Sequence, residues 1–172
     1  VALYSKKVPQ SWLYSLTKTG KLLWRVPFAG RITSSPMATY NIVFVPLCKE
    51  LIGIDYKTGL KIIKSKFSGN ITGMVRKKYT LFIATANGMF YSYNVRKGEK
   101  NWEYSLNGNV KQCFFDKKAI YIVQSNGQVV KLTNNGRTIW KVRVAGLVTS
   151  KPVHDQKNIY VNSYKAIYVV DK

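Results

Sequence analysis

The side chains with which this chain could perform acid–base, nucleophilic or metal chemistry are few. Its 172 residues include seven aspartates and glutamates, one histidine and two cysteines. His154 stands beside Asp155 without a neighbouring nucleophile, which is typical of a surface turn. One histidine and the distant cysteines Cys48 and Cys113 are too few ligands for a zinc site. The residues therefore form no catalytic constellation, and we expect neither enzymatic activity nor a bound cofactor or metal.

The two cysteines leave their redox state open. They lie 65 positions apart, at the end of one predicted strand and the start of another. A disulfide between Cys48 and Cys113 is one alternative, and two buried free thiols are the alternative that the sequence favours.

Basic residues, by contrast, are abundant. Lysine and arginine number 28, and the formal net charge is +21. A domain this basic attracts acidic protein surfaces, anionic membranes or nucleic acid. An AT-rich genome also produces a composition rich in Lys, Asn, Ile and Tyr without selection for binding. Because arginines and aromatic residues do not cluster along the chain as they do in nucleic-acid readers, we expect an acidic protein surface or larger protein complex. An anionic membrane surface comes second, nucleic acid ranks lower, and no small-molecule partner is expected.

The elements that carry these residues repeat along the chain. Ile42, Leu81, Ile120 and Ile159 follow one another at 39-residue steps. Glycines keep nearly the same spacing, with steps of 39, 39 and 38, at Gly20, Gly59, Gly98 and Gly136. A fixed period near 40 residues is typical of stacked or radial repeat architectures.

One repeat predicts four short antiparallel strands. Residues 81–85 form an apolar run, and Asn87-Gly88 offers the positive-φ pair of a tight two-residue hairpin. Residues 90–93 return, a third strand carries Trp102, and Val110–Phe115 opens the next sheet. No segment shows a helical apolar period, so we predict an all-β chain.

Such a sheet cannot bury both of its faces alone. Packing about 4–8 four-stranded sheets around an axis gives a β-propeller. We therefore predict a β-propeller of four-stranded antiparallel blades with repeats of about 39 residues. Trp24, Trp102 and Trp140 each follow their turn glycine by four residues, and Ile63 fills the slot in the second copy. We expect these tryptophans to be structural, wedged between adjacent blades.

The turn sequences carry a family resemblance. Residues 51–59, LIGIDYKTG, resemble the L-x-A-x-D-x-x-T-G element of quinoprotein-type (pyrroloquinoline-quinone-like) propeller repeats, and the resemblance extends over essentially the whole chain. That family includes quinone-dependent dehydrogenases and also non-enzymatic members, such as the outer-membrane-protein assembly lipoprotein. Leu16, Asn94 and Thr133 fill the aspartate slot of the motif, and Ile63 replaces its tryptophan. Such drift resembles a scaffold of the non-enzymatic kind more than a cofactor site.

The two ends of the chain are out of phase with a closed ring. We count three strands at the start, three complete units and three strands at the end. Residues 1–172 are therefore expected to form a single propeller domain of about four repeats, or a fragment of a larger propeller. A compact ring with two three-stranded blades is the alternative.

The charges are predicted to be one-sided, because the first and third turns of a meander lie at the same end of a blade. These turns carry the candidate partner-binding residues, which are Lys57, Lys61, Arg76, Lys77, Lys78, Arg96, Lys97, Lys117 and Lys118. The opposite end holds few charged residues, which are Arg31, Lys49, Glu50 and Lys165.

The sequence thus predicts a non-catalytic propeller scaffold for protein–protein interaction within a larger, membrane-associated assembly, with a basic face that docks an acidic partner. A fragment of a quinone-dependent dehydrogenase and a non-specific nucleic-acid binder are the alternatives. The compartment stays open, and the resemblance favours the periplasm or another exported space.

Overall fold

The computed structural model describes residues 2–4, 10–116 and 118–172, which form five antiparallel sheets and contain no helix. Within these residues nothing has the helical length and apolar character needed to cross a membrane. Sheet 1 consists of β1 (Ala2–Tyr4), β2 (Gln10–Leu16) and β3 (Leu22–Ala29). Sheet 2 consists of β4 (Met37–Thr39), β5 (Ile42–Leu47), β6 (Glu50–Asp55) and β7 (Lys61–Lys66).

The remaining three sheets repeat the same strand order. Sheet 3 consists of β8 (Ile71–Lys77), β9 (Thr80–Thr85), β10 (Met89–Asn94) and β11 (Glu99–Ser105). Sheet 4 consists of β12 (Val110–Phe115), β13 (Ala119–Gln124), β14 (Gln128–Thr133) and β15 (Thr138–Arg143). Sheet 5 consists of β16 (Val153–His154), β17 (Asn158–Asn162) and β18 (Ile167–Asp171). The prediction of an all-β chain built from four-stranded antiparallel units, with three strands at either end, is confirmed.

The hydrophobic core lies between consecutive sheets. Each of four buried clusters joins residues of one sheet to residues of the next. Between sheets 2 and 3, for example, the ring of Phe44 meets the ring of Tyr93 edge-on at 6.0 Å. Each sheet therefore covers an apolar face of its neighbour, which is the packing of propeller blades.

Burial differs across each sheet. The two middle strands are mostly buried, whereas the fourth strands β7, β11 and β15 are largely exposed. The first strand β8 contacts the first strands β4 and β12 of both neighbouring sheets. The first strands are therefore innermost, and the fourth strands form the outer rim.

The hairpins differ from the prediction in one respect. Gly88 and Gly127 have positive φ angles of 78° and 85°, but the preceding asparagines do not. Residues 86–88 form a three-residue loop in which the Gly88 N–H donates to the Thr85 carbonyl at 3.1 Å. This is a turn closed by a left-handed glycine, so the predicted pair of positive-φ residues was wrong. The corresponding hairpin of sheet 2 has the two-residue turn 48–49. When the sheets are compared by their strand pairing, the residue of sheet 2 that is equivalent to Leu81 is therefore Val43, not Ile42.

A β-bulge recurs where the third and fourth strands pair. The register shifts after Ser15, Gly53, Ser92 and Lys131 in successive sheets. One residue of each outer strand is consequently left without a partner, and these residues are Leu23, Ile62, Asn101 and Ile139. Bulges redirect side chains, and only in sheet 3 is the redirected side chain polar.

Candidate functional site

The first and third turns of a sheet lie side by side. In sheet 2 the Tyr56 N–H donates to the Asn41 carbonyl at 2.9 Å, and in sheet 3 the Val95 N–H donates to the Tyr79 carbonyl at 3.0 Å. We call this end of the sheets the basic end, and its turns carry the cations Lys18, Lys21, Lys57, Lys78, Arg96, Lys97, Lys118, Arg137 and Lys157. The turns and loops of the opposite end carry Arg31, Lys49, Lys151 and Lys165. Sequence reasoning overlooked Lys151, which lies in the loop before β16.

Three of the predicted partner-binding cations bond to neighbouring sheets instead of projecting freely. The Lys61 ammonium donates to the Pro27 carbonyl of sheet 1 at 2.8 Å. Arg76 donates to the Ala38 carbonyl of sheet 2 at 3.2 Å.

The third of these cations, Lys77, points in the other direction. Its ammonium donates to the Asp116 carbonyl of sheet 4 at 2.6 Å and to Asn134 Oδ1 at 3.2 Å. Carbonyl oxygens at sheet boundaries need donors, and in these positions a long basic side chain supplies one. No local sequence pattern indicates this role, because the role depends on which turns of neighbouring sheets lie opposite each other.

The other predicted cations differ in whether their side chains contact another residue. Lys57 lies over the Tyr56 ring at 5.9 Å, and Lys97 forms an exposed ion pair with Glu99 at 3.7 Å. Exposed pairs of this kind contribute little stability. Lys78 and Lys118 are exposed, and neither side chain has an assigned bond within the described residues. Lys117 lies outside the described residues.

An aromatic–arginine stack joins the basic ends of sheets 2 and 3. The rings of Tyr40 and Tyr79 are stacked with centroids 4.9 Å apart, and the Arg96 guanidinium lies 3.4 Å from the centroid of the Tyr79 ring. The hydrogen bond to Tyr79, with a smaller effect of burial, raises the pKa of Tyr40. Arginines and aromatic residues do not cluster along the chain, and this stack forms because residues distant in sequence meet at the turns.

Three acidic residues of the basic end, Asp55, Asp116 and Asp155, are held by their own turns. Asp55 accepts from the backbone N–H groups of Lys57 and Thr58 at 3.0 and 2.8 Å, and the bonds from Thr58 lower its pKa. Asp155 accepts from the Asn158 N–H and from the Tyr160 hydroxyl, both at 2.7 Å. These bonds lower the pKa of Asp155 to about 2.

Asp116 repeats this arrangement one sheet earlier. It accepts from the Tyr121 hydroxyl at 2.7 Å and from the N–H groups of Lys118 and Ala119. Burial opposes ionisation, but these bonds together outweigh it, and the pKa of Asp116 is lowered. Carboxylates fixed in this way are structural acceptors, and their low pKa makes them poor general bases at neutral pH.

The remaining candidate groups are also separate from one another. Both cysteines are free thiols; Cys113 is buried, which raises its pKa, whereas Cys48 is exposed, contrary to the expectation of two buried thiols. His154 packs against the Phe114 ring at 4.3 Å and lies 2.7 Å from the Lys172 ammonium. No group of three or more potential metal ligands occurs within the described ranges.

The tryptophans lie at sheet boundaries. The Trp24 indole N–H donates to the Tyr56 carbonyl of sheet 2 at 2.9 Å, and Gly59 lies against its ring. Trp102 likewise donates to the Asn134 carbonyl of sheet 4 at 3.0 Å.

The turn glycines differ in what they contact. A methyl group on Gly136 would lie 2.7 Å from the Trp102 ring. Gly98 faces Ile63 more loosely, at 3.8 Å, and Gly20 has nothing within 4 Å. Trp140 packs in the core between sheets 4 and 5, near Tyr121.

A cleft of about 710 Å³ opens at the basic end between sheets 3 and 4. Its lining combines basic, amide, hydroxyl and aromatic side chains: Lys77, Lys78, Tyr79, Thr80, Phe82, Ser92, Asn101, Trp102, Asn134 and Asn135. None of the described residues in the lining is acidic. Sequence reasoning found the two lysines but not the cleft.

Comparison with known proteins gives the following likenesses. A family model described as outer membrane protein assembly factor BamB matches residues 10–111 and 105–171. The crystal structure of BamB from Moraxella catarrhalis is similar with a TM-score of 0.69 at 18% identity, covering 94% of this chain and 52% of that chain. No curated protein matches the sequence.

Two further solved structures share the fold. The computationally designed Ika8 protein matches with a TM-score of 0.74 at 14% identity, over 99% of this chain and 57% of that chain. BBS1N in its complex with ARL6DN matches with a TM-score of 0.69 at 12% identity, over 99% of this chain and 60% of that chain. The chain therefore spans between half and two thirds of the length of these structures. Together with the sheet packing, the likenesses confirm the predicted partial β-propeller.

Proposed function

The chain belongs to the family described as outer membrane protein assembly factor BamB, as its quinoprotein-type repeats predicted, and we propose that it is a non-catalytic scaffold that binds other proteins within a larger assembly. The basic end docks an acidic surface of a partner protein. We further propose an exported location on the periplasmic side of an outer membrane. The family description supports both the assembly role and the location.

The observation that carries the proposal is the contrast between the two ends of the sheets. Around the basic end, the acidic residues Asp55, Asp116 and Asp155 are occupied by their own turns, while Lys57, Lys78 and Lys118 remain exposed. Like charges brought together on neighbouring turns repel one another in the free protein, and an acidic partner relieves that repulsion. Charge of this kind steers association and makes it sensitive to salt.

The test compares two triple charge reversals with the same change in net charge. Lys57, Lys97 and Lys118 are replaced by glutamate at the basic end, and Arg31, Lys49 and Lys165 are replaced at the opposite end. Each tagged variant is purified with its associated proteins from detergent-solubilised envelopes, at several salt concentrations. We expect the basic-end variant to lose about tenfold or more of the co-purified complex and the opposite-end variant to retain it. Equal recovery from both variants would contradict the proposal, as would recovery that does not change with salt.

Absence of catalysis is tested separately. Pyrroloquinoline quinone and calcium are added to the purified chain, and reduction of an electron-accepting dye is followed with alcohols and sugars as substrates. We expect the rate of the protein-free control. Dye reduction that requires the protein would instead support the quinone-dependent dehydrogenase alternative.

A further inference from the structure

One residue distinguishes the cleft between sheets 3 and 4 from the other sheet boundaries. Asn101 is the bulged residue of sheet 3, where the other sheets have Leu23, Ile62 or Ile139. Its amide donates to the buried Ser92 hydroxyl at 3.1 Å. In sheet 4 the position of Ser92 holds Lys131, whose ammonium lies over the Tyr121 ring at 5.3 Å. Ser92, like Ser15 and Gly53 at the equivalent positions of sheets 1 and 2, is small and does not fill the cleft.

The stack that joins sheets 2 and 3 is also missing at this boundary. One repeat further along the chain, Lys78 stands in place of Tyr40, Lys118 in place of Tyr79, and Asn135 in place of Arg96. Two ammonium groups and an amide cannot stack as two rings and a guanidinium do. The boundary between sheets 3 and 4 is therefore open at the basic end.

The cleft presents hydrogen-bond donors that the fold leaves unused. Lys78 and Asn135 are exposed, and neither side chain has an assigned bond within the described residues. The neighbouring Lys77 ammonium is held at a fixed place by the Asp116 carbonyl. The floor is apolar, formed by Phe82 and the half-buried Trp102. The fixed Lys77 ammonium, the exposed Lys78 and Asn135 side chains and an apolar floor suit a ligand that has carboxylates, a peptide backbone and an apolar side chain.

We propose that this cleft binds an acidic peptide segment of the partner protein, an inference that rests on the proposed function and locates it. Carboxylates of the segment accept hydrogen bonds from Lys78 and Lys77. The Asn135 amide pairs with the peptide backbone, and an aromatic or aliphatic side chain of the segment covers the half-buried Trp102 ring. A peptide is favoured over a nucleic acid because none of the described residues that line the cleft is an arginine.

The experiment measures binding of a short fluorescein-labelled peptide that alternates glutamate with tyrosine. Lys78→Glu and Asn135→Asp place negative charge at the cleft. Their matched controls are Lys165→Glu and Asn109→Asp, which make the same charge changes at exposed positions of the opposite end. Circular dichroism and the urea midpoint show that each variant is folded. We expect the two cleft variants to weaken binding about tenfold and the controls to change it less than twofold.

Other results would overturn the proposal. Equal weakening by cleft and control variants would mean that the peptide responds only to net charge. Stronger binding of a mixed-sequence single-stranded DNA, lost in Lys78→Glu, would make the cleft a nucleic-acid site. If polyglutamate binds as tightly as the alternating peptide, the apolar floor does not contribute to recognition. That result would contradict the assignment of a peptide that has an apolar side chain. If the cleft variants bind normally while the basic-end triple reversal loses the native complex, the cleft inference fails and the proposed function stands.

Discussion

The boundary between sheets 2 and 3 and the boundary between sheets 3 and 4 are built from equivalent positions, yet they differ at the basic end. At the first, Tyr40, Tyr79 and Arg96 stack across the junction. At the second, lysines and an asparagine occupy those positions and a cleft remains. Deeper in the molecule both boundaries are closed by a continuous apolar cluster. The repeat thus preserves the packing that holds the sheets together, while the turns differ in sequence and leave a cleft at one boundary.

The largest difference between the boundaries should be thermodynamic. Trp102→Ala removes a ring that packs against Gly136 and donates to the Asn134 carbonyl, whereas Ile63→Ala shortens a smaller side chain at the equivalent place. We expect losses in the free energy of unfolding of about 3 kcal/mol for Trp102→Ala and about 2 kcal/mol for Ile63→Ala. Urea unfolding followed by circular dichroism measures both. Equal losses would show that the tryptophan is not what distinguishes the two boundaries.

The turn glycines sharpen the same comparison. Gly136, Gly98 and Gly20 all have positive φ angles, near 80°, 72° and 83°, so alanine at each position costs about 1 kcal/mol from the backbone alone. At Gly136 the added methyl also meets the Trp102 ring at 2.7 Å, and we expect a total loss of about 2 kcal/mol or more. Thermal unfolding of the three alanine variants checks the order. A loss in Gly20→Ala as large as in Gly136→Ala would contradict the contact.

A smaller effect is expected from the cation that spans sheets 3 and 4. Lys77→Met keeps the aliphatic part of the side chain and removes the bonds to the Asp116 carbonyl and Asn134. We expect a loss of about 1 kcal/mol in the free energy of unfolding. The control Lys78→Met lies one residue away and should change it by less than about 0.5 kcal/mol. If Lys77→Met and Lys78→Met change the free energy of unfolding equally, the bonds of Lys77 do not stabilise the boundary between sheets 3 and 4.

The weakest effect is a pH dependence to which Asp155, in the first turn of sheet 5, contributes. The folded pKa of Asp155, about 2, is below the unfolded value near 3.9. Its contribution to stability is therefore complete above about pH 4 and is lost as the pH falls toward 2. We expect the melting temperature of Asp155→Asn to fall less steeply over this range than that of the unchanged protein. Asp171→Asn is the control at an exposed carboxylate, and a curve shifted like that of Asp155→Asn would contradict the assignment.

Much of the fold could be predicted because each repeat carries the same short sequence patterns at its turns and strands. Trp24, Trp102 and Trp140 each follow a turn glycine by four residues. This spacing places a large side chain at the same point of these outer strands. Strand number and the incomplete first and last sheets followed from the same period. Hairpin geometry was predicted less well, because an Asn-Gly pair is compatible with both two-residue and three-residue loops.

The candidate site was harder to predict, because it depends on contacts between distant turns. The sequence shows that Lys77 and Lys78 are adjacent, but not that one bonds to the next sheet and the other is exposed. Asn101 reaches Ser92 only because a bulge redirects it. Neither the bulge nor the stacking of Tyr40 on Tyr79 has a local sequence signal.

The most direct test of a docking role for the cleft is site-specific photo-crosslinking in cells that make the protein. Benzoylphenylalanine is placed at Asn135 beside the cleft, at Arg96 in the closed equivalent boundary, and at Asn109 at the opposite end. We expect a crosslink to a partner protein from Asn135, with a weaker product from Arg96 and none from Asn109. A crosslink that is strongest from Asn109, or a product from Asn135 that contains no protein, would contradict it.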